Sequence, residues 1–468
     1  MKTYFKKAAP KWRSYRQKRA YYNDSITKYI DYFTHPQSSV LEVGCATGEL
    51  IEAVKGNRKV GIDLCEELIE QARQTPSSTV TYHVMAAEEI DPDRLGGEPF
   101  DVIVISNLIG FLSDIEHVLT QLQKVCHRHT RIIIASYNRL WEPLIAFAEL
   151  IGIKRKTPTQ NWISRADLKN MLYLAGFETY RCNSSMLLPF NIPLIAPLFN
   201  RILSHLPLFD LMSLNHYFFA RPMPKDERQY SVTVLVPARN EAGNIRHAVE
   251  RIPDMGSHTE IIFCEGNSTD NTWEVIEQVQ KEYEGKRDIK ICRQTGKGKG
   301  DAVRCGYSIA TGDVLMILDA DLTVSPEDLP KFYKAIASGK GEFINGVRLV
   351  YPMESGAMRT LNTIGNHFFS KLFSWILEMP IKDTLCGTKV MFRRDWERLT
   401  EGRKFFGDFD PFGDFDMLFG AHKLNLKIID LPVRYKERKY GDTNISRFSH
   451  GLLLLKMSTF ATWKIKFK

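Results

Sequence analysis

The sequence predicts an α/β protein of two domains, each built on a mostly parallel sheet. Three observations carry that expectation. Residues 39–220 alternate short apolar runs with helical patterns, the rhythm of repeated βα units. The Pro- and charge-rich stretch RPMPKDERQY then interrupts at residues 221–230, and the βα rhythm restarts at Val232. Each of the two stretches opens on its own strand-end signature. At 468 residues the chain is also long for a single core.

The strand candidates of the first stretch are Val40–Val43, Val60–Ile62, Thr81–Met85, Val102–Ser106, Arg131–Ser136, Glu178–Cys182 and Tyr217–Arg221. Those of the second are Val232–Val236, Glu260–Cys264, Ile289–Arg293 and Val314–Leu318. The expected division is a first domain over 1–221, a linker over 222–230 and a second domain over 231–468. The first domain carries a basic arm (1–19) and an apolar, proline-rich insertion (186–211), which is expected to pack between the domains or to dip into a membrane interface.

Composition excludes several classes. Hydrophobic residues at 44% and charged residues at 25% are ordinary for a globular protein, so disorder is not expected. Eight cysteines are spread along the chain with no CxxC pair, which suits a reducing compartment and argues against structural zinc. The first residues lack a continuous apolar run, and no stretch approaches the ~20 apolar residues of a spanning helix. A cytoplasmic protein is expected, peripheral on the inner membrane face. The arm holds Lys2, Lys6, Lys7, Lys11, Arg13, Arg16, Lys18 and Arg19 with no acid, and the last residues add Lys456, Lys464, Lys466 and Lys468. Such charge attracts anionic lipid. No recognition fold for nucleic acid accompanies it, so no nucleic-acid partner is expected.

The first signature is VLEVGCATGEL, Val40–Leu50: a buried strand, a tight Gly turn and a helix. Gly44 and Gly48 let the backbone approach a ligand. About twenty residues on, Asp63 ends a second strand, where a carboxylate can take both ribose hydroxyls. A dinucleotide site would need GxGxxG, but Ala46 and Glu49 occupy its second and third glycine positions. Over roughly residues 38–182 the chain resembles class I methyltransferases, which have a Rossmann-like fold and use S-adenosylmethionine. The resemblance implies Glu42 and Gly44 near the cofactor's methionine part, with Cys45 and Gly48 in the same turn. It also implies Asp63 at the ribose and Leu64 against adenine. The third motif, MAAEEI, has Ala86 where an Asp usually meets the adenine amine, which leaves backbone or Glu88 for that contact. FDVIVISNLIGFL matches the fourth motif, with Asn107 where the strand meets the methyl-transfer site. Tyr21, Tyr22, Trp141 and Trp162 are candidates for an acceptor pocket or for core.

The second signature is carboxylates at strand ends. VTVLVPARNEAGNI runs into Asn240 and Glu241, EIIFCEGNSTDNT into Glu265, and TGDVLMILDADL into Asp319 and Asp321. Three acid-tipped strand ends put carboxylates along the crevice where such sheets bind ligands. Two hard oxygen donors in a DxD can hold Mg²⁺ or Mn²⁺ against a diphosphate leaving group. Over roughly residues 231–450 the chain resembles family 2, GT-A-fold glycosyltransferases, especially those near dolichyl- and polyprenyl-phosphate sugar transferases. The resemblance implies an inverting enzyme with a UDP- or GDP-linked donor. It places Pro237, Ala238, Asn240 and Glu241 at the nucleoside, Glu265 where the base is read, and Asp321 as direct metal ligand beside Asp319. Lys299 and Arg304 of GKGKGDAVRCG are expected at phosphate. Asp414, with Asp416 next to it, is expected as general base. Arg438, Lys439 and Arg447 match the basic segment that meets an acceptor phosphate.

The expected function is therefore two activities on one chain: methyl transfer from S-adenosylmethionine, and metal-dependent sugar transfer to a glycan or a polyprenyl phosphate in cell-surface glycan synthesis. The alternative is a glycosyltransferase carrying a non-catalytic cofactor-binding module as a scaffold.

Overall fold

The structure, a computed structural model, describes residues 1–75, 79–151, 157, 160–224, 227–351, 360–402, 413–438, 440 and 447–467; the side chains of 360–363 and 447–451 are outside the description. The chain divides into two compact units, Met1–Met223 and Pro224–Lys466.

The first unit is a seven-stranded sheet in the order β3-β2-β1-β4-β5-β7-β6. Its strands are β1 Ser39–Val43, β2 Arg58–Asp63, β3 Val80–Val84, β4 Phe100–Ser106, β5 Cys126–Tyr137, β6 Phe177–Ser185 and β7 Asn215–Pro222. All pairings are parallel except those of β7, which runs antiparallel to β5 and β6. The central strands read as near-continuous apolar runs because helices cover both faces. Val40, Leu41, Val43 and Ile103–Ile105 are fully buried. Fully burying such side chains stabilises by about 1.5–3 kcal/mol each.

The second unit repeats the plan in the order β10-β9-β8-β11-β13-β12-β14. Its strands are β8 Val232–Ala238, β9 Thr259–Glu265, β10 Asp288–Arg293, β11 Val314–Ile317, β12 Phe343–Val347, β13 Lys389–Phe392 and β14 Ile428–Pro432. β13 runs antiparallel to β11 and β12, and the other pairs are parallel. The last three strands are four or five residues long and were not among the strand candidates.

Strand order reverses between β1 and β4 in the first sheet and between β8 and β11 in the second. At such a switch point the two connections leave in opposite directions and open a crevice at the carboxyl ends of the strands. Both candidate sites lie there.

Residues 228–230 already join the second unit: the Tyr230 N–H donates to the Tyr333 hydroxyl at 3.1 Å, and Tyr230 packs on the core. The insertion forms a continuous helical run of mixed type, Ile195–Pro197, Leu198–Ile202 and Leu203–His205, and a further turn, Pro207–Asp210, which Pro207 opens. Met186, Leu187 and Ala196 are buried, while other apolar side chains point outward, with Leu194 88% and Leu208 72% exposed. Among the described residues no helix is long and apolar enough to cross a membrane.

Candidate functional site

In the first unit a cavity of about 220 Å³ opens at the β1/β4 switch point. Glu42, Gly44, Asp63, Leu64, Glu88 and Asn107 line it, brought together from four strand ends. Gly44 has a φ of +79°, and a Cβ there would press on Leu108. Cys45 and Gly48 are not in the lining. The Cys45 N–H donates to Ile62 O at 3.0 Å, and Gly48, at φ +83°, starts the helix Glu49–Ala53. These two shape the turn.

Two carboxyls dominate the cavity. Asp63 accepts the Ala46 N–H at 3.0 Å and the Cys65 N–H at 2.9 Å, which fixes the carboxylate at the mouth. Burial raises its pKa against those hydrogen bonds. Glu42 lies deeper and accepts the Ile51 N–H at 3.1 Å. Burial lifts it to about 8, in spite of Arg16 nearby. Met85, Leu108 and Phe111 supply apolar wall. Carboxyls beside an apolar slot fit a cationic nucleoside such as S-adenosylmethionine.

The basic arm takes a place that its charge did not suggest. Tyr4, Phe5, Trp12, Tyr15 and Arg16 line the cavity. Lys6 pairs with Glu67 at 2.7 Å, Arg16 with Glu49 at 3.2 Å, and Arg13 donates to Gln71 O and Thr75. Three of the arm's cations are thus bound to its own unit. The aromatic spacing within the arm was the available signal, and the charge run obscured it. Of the four aromatic candidates only Tyr22 reaches the cavity. Its hydroxyl lies 3.0 Å from the side-chain oxygens of Asn107 and Asn215, and its ring stacks on Tyr137. Tyr21 instead accepts from Asn200, and Trp141 donates to Met212 O.

In the second unit the strand ends of β8, β9 and β11 converge as the pattern required. Asn240, at φ +56°, receives the Thr269 N–H on its side-chain oxygen at 2.8 Å. Pro237 and Ala238 close β8, and Ala238 O accepts the Gly266 N–H at 2.8 Å. Glu265 is buried and accepts the Ser268 N–H at 2.5 Å, so its carboxylate organises its own loop. Glu241 accepts from Asn244 at 2.7 Å; burial raises it to about 7.

The charged centre follows β11. Asp319 Oδ1 takes Lys299 Nζ at 2.5 Å. Burial works against both charges, but their attraction outweighs it, lowering Asp319 and raising Lys299, with Asp414 adding to the latter. Asp321 Oδ1 accepts from the Thr323 N–H and hydroxyl, while Oδ2 meets Arg438 at 2.6 Å. Arg438 also reaches Glu241 at 3.2 Å. Two hard carboxylate donors can hold a divalent metal once the Lys299 and Arg438 cations that neutralise them here are displaced. Arg304 pairs with Asp301 at 3.3 Å on its own helix.

Asp414 and Asp416 part company. Asp414 is buried with Lys389 Nζ 3.3 Å away. Asp416, two residues on and so on another helix face, lines a separate dimple with Arg398 and Lys423. Lys439 lies outside the described residues, as does the Arg447 side chain. Sequence reading missed Gly387: a Cβ there would fall on Asp319 Oδ2 and Lys299 Nζ. It also missed Arg348, which holds Asp383 through two hydrogen bonds of 2.7 and 2.9 Å.

Comparison with known proteins matches both units. The model described as "Methyltransferase domain" covers residues 12–181, and "Glycosyl transferase family 2" covers residues 233–399. A dolichol-phosphate mannosyltransferase of Pyrococcus furiosus is 36% identical over 111 residues, 23% of this chain and 30% of that protein. The matches span less than half the length of the curated relatives. Among solved structures, a SAM-dependent methyltransferase of Thermotoga maritima, described as a possible histamine N-methyltransferase, aligns with 47% of this chain and 100% of its own, at 16% identity and a TM-score of 0.38. Glucosyl-3-phosphoglycerate synthase from Mycobacterium tuberculosis aligns with 50% of this chain and 80% of its own, at 16% identity and a TM-score of 0.37. The chain is thus a fusion of a methyltransferase domain with a family 2 glycosyltransferase domain.

Proposed function

We propose that the chain is a bifunctional transferase: its first unit moves a methyl group from S-adenosylmethionine, and its second moves a sugar, with inversion, from a UDP- or GDP-linked donor to a polyprenyl phosphate. The observation that carries the reading is the charged centre at the β8/β11 switch point, where Asp319, Asp321, Lys299 and Arg438 meet beside Glu241.

Asp319 and Asp321 would hold Mg²⁺ or Mn²⁺, which when bound neutralises the departing diphosphate. Lys299, already held by Asp319, stands ready to meet the diphosphate's charge. Pro237, Ala238, Asn240 and Glu265 line the β8 and β9 ends and are proposed at the nucleoside. Arg438 lies on Asp321 and Glu241 here, so donor and metal binding would free it for the acceptor phosphate, with Lys439 and Arg447 as its proposed partners.

Two points favour the lipid phosphate over a glycan hydroxyl. A phosphate is already an anion and needs cations, whereas a hydroxyl needs a base. Asp414, the proposed base, is buried beside Lys389, and Asp416 faces elsewhere. The names of two relatives, dolichol-phosphate mannosyltransferases of Pyrococcus furiosus and Saccharomyces cerevisiae, agree with that acceptor. The exposed apolar side chains of the insertion suit a membrane surface, where such a lipid resides.

In the first unit, Asp63 would take the ribose hydroxyls, Glu42 the methionine end, and Leu64 and Glu88 the adenine. Asn107 and Tyr22 would face the acceptor. Aligning acceptor and leaving group is the main task of such a site.

The test is to supply UDP- and GDP-linked sugars with Mg²⁺ or Mn²⁺ and either a polyprenyl phosphate or an oligosaccharide. Transfer to the polyprenyl phosphate is expected, lost in Asp321→Ala and reduced less than about tenfold in Asp414→Asn. Transfer to the oligosaccharide alone, abolished by Asp414→Asn, would shift the acceptor to a glycan. No sugar turnover with any donor would sink the reading.

A further inference from the structure

Eight cysteines scattered in sequence include three that meet in space. Cys264 on β9 and Cys292 on β10 are register partners across a parallel pair. Cys305 reaches them from the helix Lys299–Ser308. The three sulfurs lie within 4.8 Å of one another, and none is in a disulfide. Among the described residues this is the one group of three or more His, Cys, Asp or Glu side chains with metal-ligating geometry.

We propose that Cys264, Cys292 and Cys305 form a three-thiolate site for a thiophilic d¹⁰ cation, Zn²⁺ foremost. Zinc–sulfur bonds of about 2.3 Å in a tetrahedral arrangement set sulfurs about 3.8 Å apart. The observed cluster closes to that spacing with movements of about 1 Å or less, within the reach of side-chain adjustment. Cys264 is fully buried, whereas Cys292 and Cys305 are partly exposed, which gives the ion an entry path and leaves its fourth position to water. On binding, each thiol releases its proton to solvent. The Cys305 thiol, which donates to Arg293 O at 3.3 Å, gives up that bond when it ionises.

The site differs in kind from Asp319 and Asp321. Those offer hard oxygen donors, and the cysteines offer soft sulfur, so the two select different ions. Its ligands come from two strands and the helix that covers them. A bound ion therefore ties the helix carrying Lys299 to β9, whose last residue is Glu265. The inference does not depend on the proposed reaction.

The test uses the full chain, reduced and stripped of metal, titrated with Co²⁺ as a spectroscopic probe and then with Zn²⁺. The expected result is one cobalt per chain with thiolate-to-metal charge-transfer absorption, displaced by Zn²⁺. It should vanish in Cys305→Ser and Cys264→Ser and persist in Cys126→Ser. Zn²⁺ should also raise the Tm of the wild type and not that of Cys305→Ser. If Cys264→Ser fails to fold, Cys305→Ser, at a partly exposed position, decides the matter. Cobalt bound only at oxygen donors gives no such absorption. Its absence, its persistence in Cys305→Ser, or a Cys264–Cys292 disulfide that forms even with Zn²⁺ present would overturn the proposal.

Discussion

Glu42 carries a proton at neutral pH because burial raises its pKa to about 8; Arg16 and the Ile51 N–H pull the other way, and Glu49 and Asp63 push further up. S-adenosylmethionine brings a sulfonium and an ammonium, which favour the carboxylate form. Binding should then expel the proton, so affinity rises with pH up to about 8 and levels above it, with a slope of at most about tenfold per pH unit. Glu42→Gln should flatten the profile in calorimetry across that range. A flat wild-type profile would place the cofactor's cations elsewhere. The sign for stability is opposite. A folded value above the unfolded one of 4.5 means that the proton's contribution is full below that pH and is lost as the pH rises through about 8. Gly387 acts through space alone. The alanine Cβ would overlap Asp319 Oδ2 and Lys299 Nζ, forcing apart the pair that sets the charged centre. Such overpacking costs about 1–3 kcal/mol. Gly387→Ala should therefore lower nucleotide-sugar turnover by roughly tenfold or more, and undiminished turnover would show that the pair tolerates displacement. Asp63, Asp319 and Asp321 were legible in sequence because an acid directly after an apolar run lands at a sheet's carboxyl edge. Gly387 was not, since its constraint comes from side chains about 70 to 90 residues away in the chain.

At the scale of elements, the arm carries aromatic residues as well as charge. Tyr4, Phe5, Trp12 and Tyr15 line the cavity of the first unit while Lys6 and Arg16 meet Glu67 and Glu49, and Lys2, Lys7, Lys11, Lys18 and Arg19 are exposed. Solvent screens exposed pairs of this kind, so the aromatic contacts should dominate. Deleting residues 2–18 is expected to weaken S-adenosylmethionine binding by roughly tenfold or more and to leave nucleotide diphosphate binding unchanged. Equal cofactor affinity in both forms, measured by calorimetry, would assign the arm another role. Long buried strands such as β4 and β5 were readable because parallel sheets covered on both faces need continuous apolar runs. FINGV, KVMF and IIDLP are too short to announce β12, β13 and β14. The cysteine cluster escaped for a related reason. Separations of 28 and 13 residues carry no motif, and only the β9/β10 register and the covering helix bring the sulfurs together.

For the whole molecule, the two-sheet plan was the most legible feature, since each sheet has its own run of strands and its own switch point. The two units contain separate candidate sites built from separate carboxylates, so the account requires that the sites fail independently. Calorimetry of the full chain tests this most directly, with S-adenosylmethionine in one titration and UDP or GDP with Mn²⁺ in the other. Asp63→Ala should abolish the first and spare the second, through the loss of several buried hydrogen bonds. Asp321→Ala, or chelation of the wild type, should abolish the second and spare the first. A variant that removes both bindings together, or nucleotide diphosphate binding that persists undiminished without divalent metal, would contradict the account.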